Sequence, residues 1–462
     1  MKTPWMASTV AAALLLASCT VGPKYQRPTA QIPTQLRGVS PEAQQQTASL
    51  ADLPWWEVFK DPSLQELIRS ALKQNYDVQL AAERVTAARA QLGIARSAQY
   101  PSVTGDASLY GGKDVSQYKS NFLTLSPDAI FQLDLFGGLR KATEASRAQM
   151  LATEEARHSV IMTLVGDVAG DYFHLLTLDA ALATARDTVA SQQESVKLTS
   201  LRQLHGTATR VDVLQAQQVL DTANAQIPDL ERQIAQTENA LSILVGKLPD
   251  SIQRGQLLND QYVPPETPAG IPSSLLERRP DIRQAEQTLI AANAEIGVAR
   301  AAFFPTISLS GGGGGAFGRS NSELGSAPTH FGTWSYAASI SQPIFNAGKL
   351  RNNLRVTESQ QRQAVLGYQQ AIQHAFGEVS DALVGRQKLH EVRLRQEASV
   401  KDLRESVKLS NERYRAGIAA YSEVLDAQRS LFAAEQSLTQ AKGNELQALV
   451  TIYKVLGGGW QQ

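Results

Sequence analysis

The chain has 462 residues, 43% hydrophobic and 19% charged, a globular rather than disordered composition with room for a sizeable core. Its 44 Lys and Arg balance 44 Asp and Glu, so the totals lack the basic excess of a nucleic-acid-binding protein, and nucleic acid is set aside as a partner. Cys19 is the only cysteine, the six histidines form no His-x-x-x-His pair, and there is no nucleophile elbow, which argues against a disulfide, a metal cluster and an enzyme.

At the start of the chain, Lys2, the apolar stretch Ala7 to Ala17 and the small residues before Cys19 form a secretion signal, residues 1–18. The stretch is too short to span a bilayer, which takes about 20 apolar residues. Leu16-Ala17-Ser18-Cys19 resembles the bacterial lipobox, in which cleavage leaves the cysteine as an acylated N-terminus. The resemblance implies an N-acyl and S-diacylglycerol lipid on Cys19 and no other cofactor. Thr20 is not an aspartate, so it also implies sorting to the outer membrane. Residues 19–54 read as an extended segment behind that anchor.

Two tandem copies follow, over 55–250 and 272–460, joined by a Pro-rich connector at 251–271. Gly93-Ile94-Ala95-Arg96 and Pro101 match Gly297-Val298-Ala299-Arg300 and Pro305 at a separation of 204 residues. Arg202, Gly206, Val213, Leu214, Ala216 and Gln217 match Arg413, Gly417, Val424, Leu425, Ala427 and Gln428 at a separation of 211.

Each copy opens on helices and then changes period. Val103, Gly105, Ala107 and Leu109 alternate with polar residues, as do Leu123, Leu125, Ala129, Phe131, Leu133 and Leu135, and as do Trp334, Tyr336, Ala338 and Ile340. These predict strands over about 102–112, 123–136 and 333–345, with a weaker one over 306–317. The glycines Gly311 to Gly315 in that last strand lack the Lys and Ser/Thr of a phosphate loop, and read instead as a site of curvature or close strand approach. Proline-free stretches follow at Leu139 to Leu204, where alanine is frequent, and at Leu350 to Tyr414. At 1.5 Å per residue each predicts a helical rod on the order of 100 Å, fit for coiled-coil packing. Each rod ends near a glycine, Gly206 or Gly417, which serves as hairpin hinge before a second helix runs back to Gly246 or Gly457.

Strands of about ten residues with one apolar and one polar face have transmembrane length. Backbone groups in hydrocarbon must all be paired, so four strands cannot stand alone in a membrane. Two copies of the chain would close eight strands around a side-chain-filled interior, and three would close twelve around water. The polar faces favour three.

With these pieces in place, the chain resembles the outer-membrane factor family, the TolC-like channels, and within it the lipoprotein branch of exit ducts for tripartite RND-type multidrug efflux. The resemblance runs from Cys19 to Trp460 and is carried by Cys19-Thr20-Val21-Gly22-Pro23-Lys24-Tyr25, Pro54-Trp55-Trp56, Glu277-Arg278-Arg279-Pro280-Asp281-Ile282, Arg413-Tyr414-Arg415-Ala416-Gly417, Leu425-Asp426-Ala427-Gln428 and Tyr453-Lys454-Val455-Leu456-Gly457-Gly458-Gly459-Trp460. It implies an α+β membrane protein: a homotrimer whose twelve-stranded β-barrel continues into a periplasmic α-helical barrel. It further implies a gate at the helix tips, with carboxylate rings matching Glu423 and Asp426, and closing bonds carried over to Tyr414 and Asp212. Three residues apart, Glu423 and Asp426 share a helix face, and three copies would gather six carboxylates that favour cations. Ala419 stands where the best-known member of the family has an arginine, so a salt-bridge latch is not carried over. A periplasmic adaptor docking around Arg202 to Asp212 and Arg413 to Asp426, and an inner-membrane pump behind it, are the implied partners. A duct for type I protein secretion or heavy-metal efflux, and a periplasmic coiled-coil adaptor lipoprotein, stay open as alternatives.

Overall fold

Two strand pairs and two pairs of long helices make up most of the chain in the computed structural model, which describes residues 21–29, 32–33, 36–37, 49–113, 119–264, 272–322 and 325–460. Cys19 and the signal lie outside the described residues. The elements are α1 (Trp55–Val58), α2 (Pro62–Gln74), α3 (Tyr76–Ser97), β1 (Ser102–Lys113), β2 (Lys119–Leu133), α4 (Gly138–Leu204), α5 (Arg210–Val245), α6 (Leu275–Arg278), α7 (Pro280–Ala301), β3 (Thr306–Ser322), β4 (Gly325–Ser341), α8 (Lys349–Arg415) and α9 (Tyr421–Val455). Among the described residues no helix is long and apolar enough to cross a membrane. The chain divides into two units, Met1–Thr29 with Arg84–Glu154 and Gln284–Gln370, and Ala30–Glu83 with Glu155–Arg283 and Ala371–Gln462.

The first unit carries a four-stranded antiparallel sheet in the order β1-β2-β3-β4. Its register aligns the alternation of all four strands. Leu109, Leu123, Phe317 and His330 form one cross-strand row, and Leu133, Ile307 and Ile340 another. Between them the same face carries Leu125, Phe131, Leu309, Trp334 and Tyr336, the last two stacked 5.9 Å apart and about 80% exposed. The opposite face carries hydroxyls that bond across strands, Ser108 to Thr124 at 2.5 Å and Ser308 to Ser339 at 2.7 Å. Every strand therefore contributes an apolar row to one face and a polar row to the other. β1 and β4 are left as edges.

The strands differ from the alternation-based ranges at their ends. β2 begins at Lys119 and stops at Leu133, short of 136, because Asp134 turns to the next helix: its carboxylate accepts the amides of Leu139 (3.1 Å) and Arg140 (2.8 Å) at the start of α4. β4 starts at Gly325 and stops at Ser341 rather than 345, as Pro343 has no amide to donate to a ladder. β3 runs on to Ser322, past the expected 317, paired with β4 throughout. Within it the glycines meet close neighbours: a Cβ on Gly312 would lie 2.0 Å from Asp128 Oδ1, and one on Gly314 2.3 Å from the Leu125 carbonyl. A side chain at 314 would push β2 away, and one at 312 would displace the Asp128 carboxylate.

The second unit is held by the apolar stripes of the long helices. Val165, Val168, Tyr172, Leu175 and Leu176 of α4 are buried at the helical spacing. The Glu277 to Ile282 segment has a structural task here. The buried Arg279 guanidinium donates to the carbonyl of Val455, the last residue of α9 (3.0 Å), and to the carboxylates of Asp281 (2.6 Å) and Glu378 (2.7 Å). Burial disfavours its charge, but the two carboxylates hold it more firmly protonated than usual. Tyr453 packs edge-on to Phe59 and donates its hydroxyl to the Leu53 carbonyl (2.9 Å), while Trp460 lies stacked on His158 at 4.6 Å with Arg283 over its ring. The sequence motifs at the chain's end and at the start of α7 thus meet in one junction.

Candidate functional site at the hairpin tips

The two rods end in the same backbone device. Gly206 has φ 71°, its amide donates to Gln203 O (3.0 Å), and the Thr207 amide reaches back to Arg202 O (2.8 Å). Gly417 has φ 74°, with matching bonds from its own amide to Tyr414 O (3.1 Å) and from Ile418 to Arg413 O (3.1 Å). This is the Schellman closure, and the left-handed φ is what calls for glycine at each hinge position.

The return helices start differently. At α5, Thr209 and Asp212 form a capping box: the Asp212 carboxylate accepts from the Thr209 amide (2.7 Å) and hydroxyl (2.8 Å), and the Asp212 amide donates to Thr209 Oγ1 (3.2 Å). At α9 the cap position is Ala420, which has no side-chain acceptor. Glu423, the counterpart of Asp212, therefore turns to Arg413 across the turn at 3.3 Å. Asp426 sits one turn on, its side chain 78% exposed and 4.0 Å from Arg429.

Between the tips lies a small core of Ala216, Val219, Tyr421, Val424 and Leu425, with Val196 and Tyr414 against it. The Tyr414 and Tyr421 rings are 5.1 Å apart, and the Arg202 guanidinium lies 4.4 Å over Tyr414. Burial pushes the Tyr421 hydroxyl above its usual range, and the neighbouring Tyr414 and Asp212 add to that rise. The Tyr414 hydroxyl is buried without a hydrogen-bond partner. Glu423, Asp426, Tyr414, Gly206, Gly417 and Asp212 are thus all at the tips. Asp212 is engaged in its own cap and makes no direct bond to Tyr414.

A family model described as "Outer membrane efflux protein" matches residues 67–247 and again 271–458. The chain belongs to this outer membrane efflux protein family. It is 36% identical over 457 residues to the cation efflux system protein CusC of Escherichia coli, covering 97% of this chain and 98% of that one. It is 38% identical over 466 residues to the toluene efflux pump outer membrane protein TtgI of Pseudomonas putida, covering 97% of each. Among solved structures, the open-state outer membrane channel MtrE of Neisseria gonorrhoeae superposes with a TM-score of 0.84 at 30% identity, over 96% of this chain and 99% of that one. The protein is an outer-membrane channel of an efflux system, extending into the periplasm.

One feature of this efflux protein escaped the sequence reading. Glu445 of α9 is 3% exposed and takes Arg386 Nη1 at 3.2 Å, His390 Nδ1 at 2.8 Å and Arg393 Nε at 2.5 Å, all from α8. Burial alone would raise its pKa, but His390, Arg393 and Arg386 together hold the carboxyl below its usual range. Two signals pointed to it: an acid inside the apolar stripe formed by Ala441, Leu446 and Leu449, and three basic residues spaced four and three apart on one facing helix side. Among the described residues no cluster of three or more His, Cys, Asp or Glu is placed to hold a metal ion.

Proposed function

We propose that three copies of this chain close one twelve-stranded barrel and form a passive exit duct, gated at the hairpin tips and anchored additionally by lipid on Cys19. The observation that carries this reading is the sheet: a continuous apolar face, a hydroxyl-rich face, and two unpaired edges, β1 and β4. Edge-to-edge pairing of successive copies satisfies the free backbone groups, and the polar face then lines water. Two tandem copies of one unit within the chain are supported by the double match of the family model and by the equal lengths, 67 residues, of α4 and α8.

At the tips, Glu423 and Asp426 supply the carboxylate rings and favour cations. Tyr414, whose hydroxyl is buried without a partner within the chain, supplies a closing contact between copies once its side chain turns outward, and Gly206 and Gly417 are the hinges. Asp212 joins such a contact only by giving up its cap. No chemistry is required of the subunit: a periplasmic adaptor docks at the tips and an inner-membrane pump provides the energy. Relatives of nearly equal identity are named for cations, a solvent and toluene, which supports a duct that leaves cargo choice to other components.

The decisive experiment is planar-bilayer recording of the purified oligomer. Asp426→Ala and Glu423→Ala are each expected to change conductance and lower cation selectivity, with a trimer that resists detergent until heated. Unchanged currents in the double variant would remove the gate assignment, and a water-soluble monomer would remove the channel.

A further inference from the structure

The residues just after Cys19 are bound along their length to the first unit. Val21 donates its amide to the Phe136 carbonyl (3.2 Å), a few residues beyond the end of β2. Gly22 crosses Gly297 so closely that a Cβ on Gly22 would lie 2.8 Å from Gly297 Cα, while one on Gly297 would lie 3.2 Å from the Val21 carbonyl. Asn293 Nδ2 donates to the Pro23 carbonyl (3.2 Å). Farther along, Glu286 accepts three bonds: from the Tyr25 hydroxyl (3.1 Å), Arg27 Nε (2.7 Å) and Arg27 Nη2 (2.5 Å). The contacts at 297, 293 and 286 descend α7 as the segment advances, so it runs antiparallel to that helix.

We propose that Val21–Arg27 is a strap that keeps the acylated N-terminus at the boundary between strands and helices, with Glu286 as its positioning residue. The proposal rests on the reading that Cys19 carries lipid and that the sheet lies in the membrane. Only Thr20 lies between Cys19 and Val21, so their Cα atoms can be no more than about 7 Å apart. The acyl chains therefore enter the leaflet beside Phe136, whose ring stacks on Phe304 at 4.6 Å where β2 ends and β3 begins. So short a tether fixes where the lipid inserts. Glu286 holds the far end by a charge-assisted, two-pronged bond to Arg27, its own side chain only 14% exposed.

Lys24 is exposed within the strap and is followed by Tyr25, so it reports docking through trypsin cleavage, whereas Arg27 precedes proline and resists. The experiment is limited proteolysis of the full chain in membrane vesicles with the helices facing the protease, read by mass spectrometry of the N-terminal peptides. Cleavage after Lys24 is expected to be slow in the natural protein, at least 10-fold faster in Glu286→Ala, and slow again in the swapped pair Arg27→Glu with Glu286→Arg. Heat resistance of the oligomer should not change in any of the three. Equal rates in the natural protein and Glu286→Ala overturn the strap. Cys19→Ala should stay protected, since docking belongs to the polypeptide; loss of protection there assigns the shielding to the membrane and overturns it too. Mass spectrometry of the natural N-terminal peptide tests the underlying reading separately: an unmodified Cys19 removes the anchor while leaving the protection of Lys24 intact.

Discussion

The two helical hairpins share a backbone and differ in what holds them. α4 and α8 are both 67 residues long and end in the same glycine closure. Yet Glu445, Arg386 and Arg393 of the second hairpin stand where the first has Ile234, Leu175 and Leu182. The fourth position pairs His390 with Asp179, which faces away to Arg254 at 2.8 Å. At the tips the contrast reverses: the first hairpin is pinned by a capping box, while the second has Ala420 and two exposed ion pairs, Arg413–Glu423 and Arg429–Asp426. One hairpin has apolar side chains at these shaft positions, its Arg186–Glu231 pair (2.8 Å) lying exposed, and a capping box at its tip; the other buries an ion cluster in its shaft and has no side-chain cap at its tip. The comparison shows that what holds a shaft and what holds its tip can be set separately, by a few side chains, on one backbone.

The largest effect expected from breaking this contrast is at Glu445. Its replacement by alanine takes away the buried carboxylate that Arg386, His390 and Arg393 share, while Arg393 keeps Glu397 at 2.7 Å, at a cost of about 3 kcal/mol. Ile234→Ala in the first hairpin should cost about 1 kcal/mol, because that side chain is only half buried. Urea midpoints of the two variants test the difference. Acid should act on the same asymmetry. A carboxyl held below its ordinary pKa in the fold contributes stability that is present above the unfolded value and lost as pH falls through the folded one. Hydrogen exchange in α8 and α9 should accelerate below the ordinary carboxylate range, and exchange around Leu175 and Ile234 should change less.

Smaller effects are expected at the turns. Gly206→Ala and Gly417→Ala should each cost about 1–2 kcal/mol, equally, since both hold a left-handed φ. Thr209→Ala should cost about 1 kcal/mol by removing the cap and speed exchange across 207–213, and Ala420→Ser should gain a similar amount at the second tip. With the gate proposed at the tips, the serine variant should also lower open probability in bilayers. Glu423→Gln should alter stability by no more than about 0.5 kcal/mol, because its pair with Arg413 is exposed. Its signature belongs in ion selectivity.

Local pattern made some of this legible in the amino-acid order. Alternation marked residues of all four strands, and a proline-free run with terminal glycine marked the long helices. Strand ends were not legible, because Asp134 and Pro343 stop the ladder for reasons that belong to the following helix and to backbone donors. The resemblance, rather than spacing, singled out Tyr414 and Asp212 at the tips, and Asp212 could not be seen to be occupied until Thr209 was placed three residues before it in a cap. Arg279 was recognisable only as part of a motif. Its task depends on Val455, far along the chain, and no periodicity connects them.

The equal lengths of α4 and α8 set a rule for how this chain can change. Deleting one residue from α8 alone would turn everything beyond it by about 100° and draw it back by about 1.5 Å relative to α4. Tyr414 would leave Arg202, and Arg429 would leave Gln218, which it now meets at 3.1 Å from the equivalent position of the other hairpin. Gains and losses of length in these shafts must therefore occur in pairs, one in each half of the gene, so the two halves are bound to share a common ruler long after their side chains have diverged.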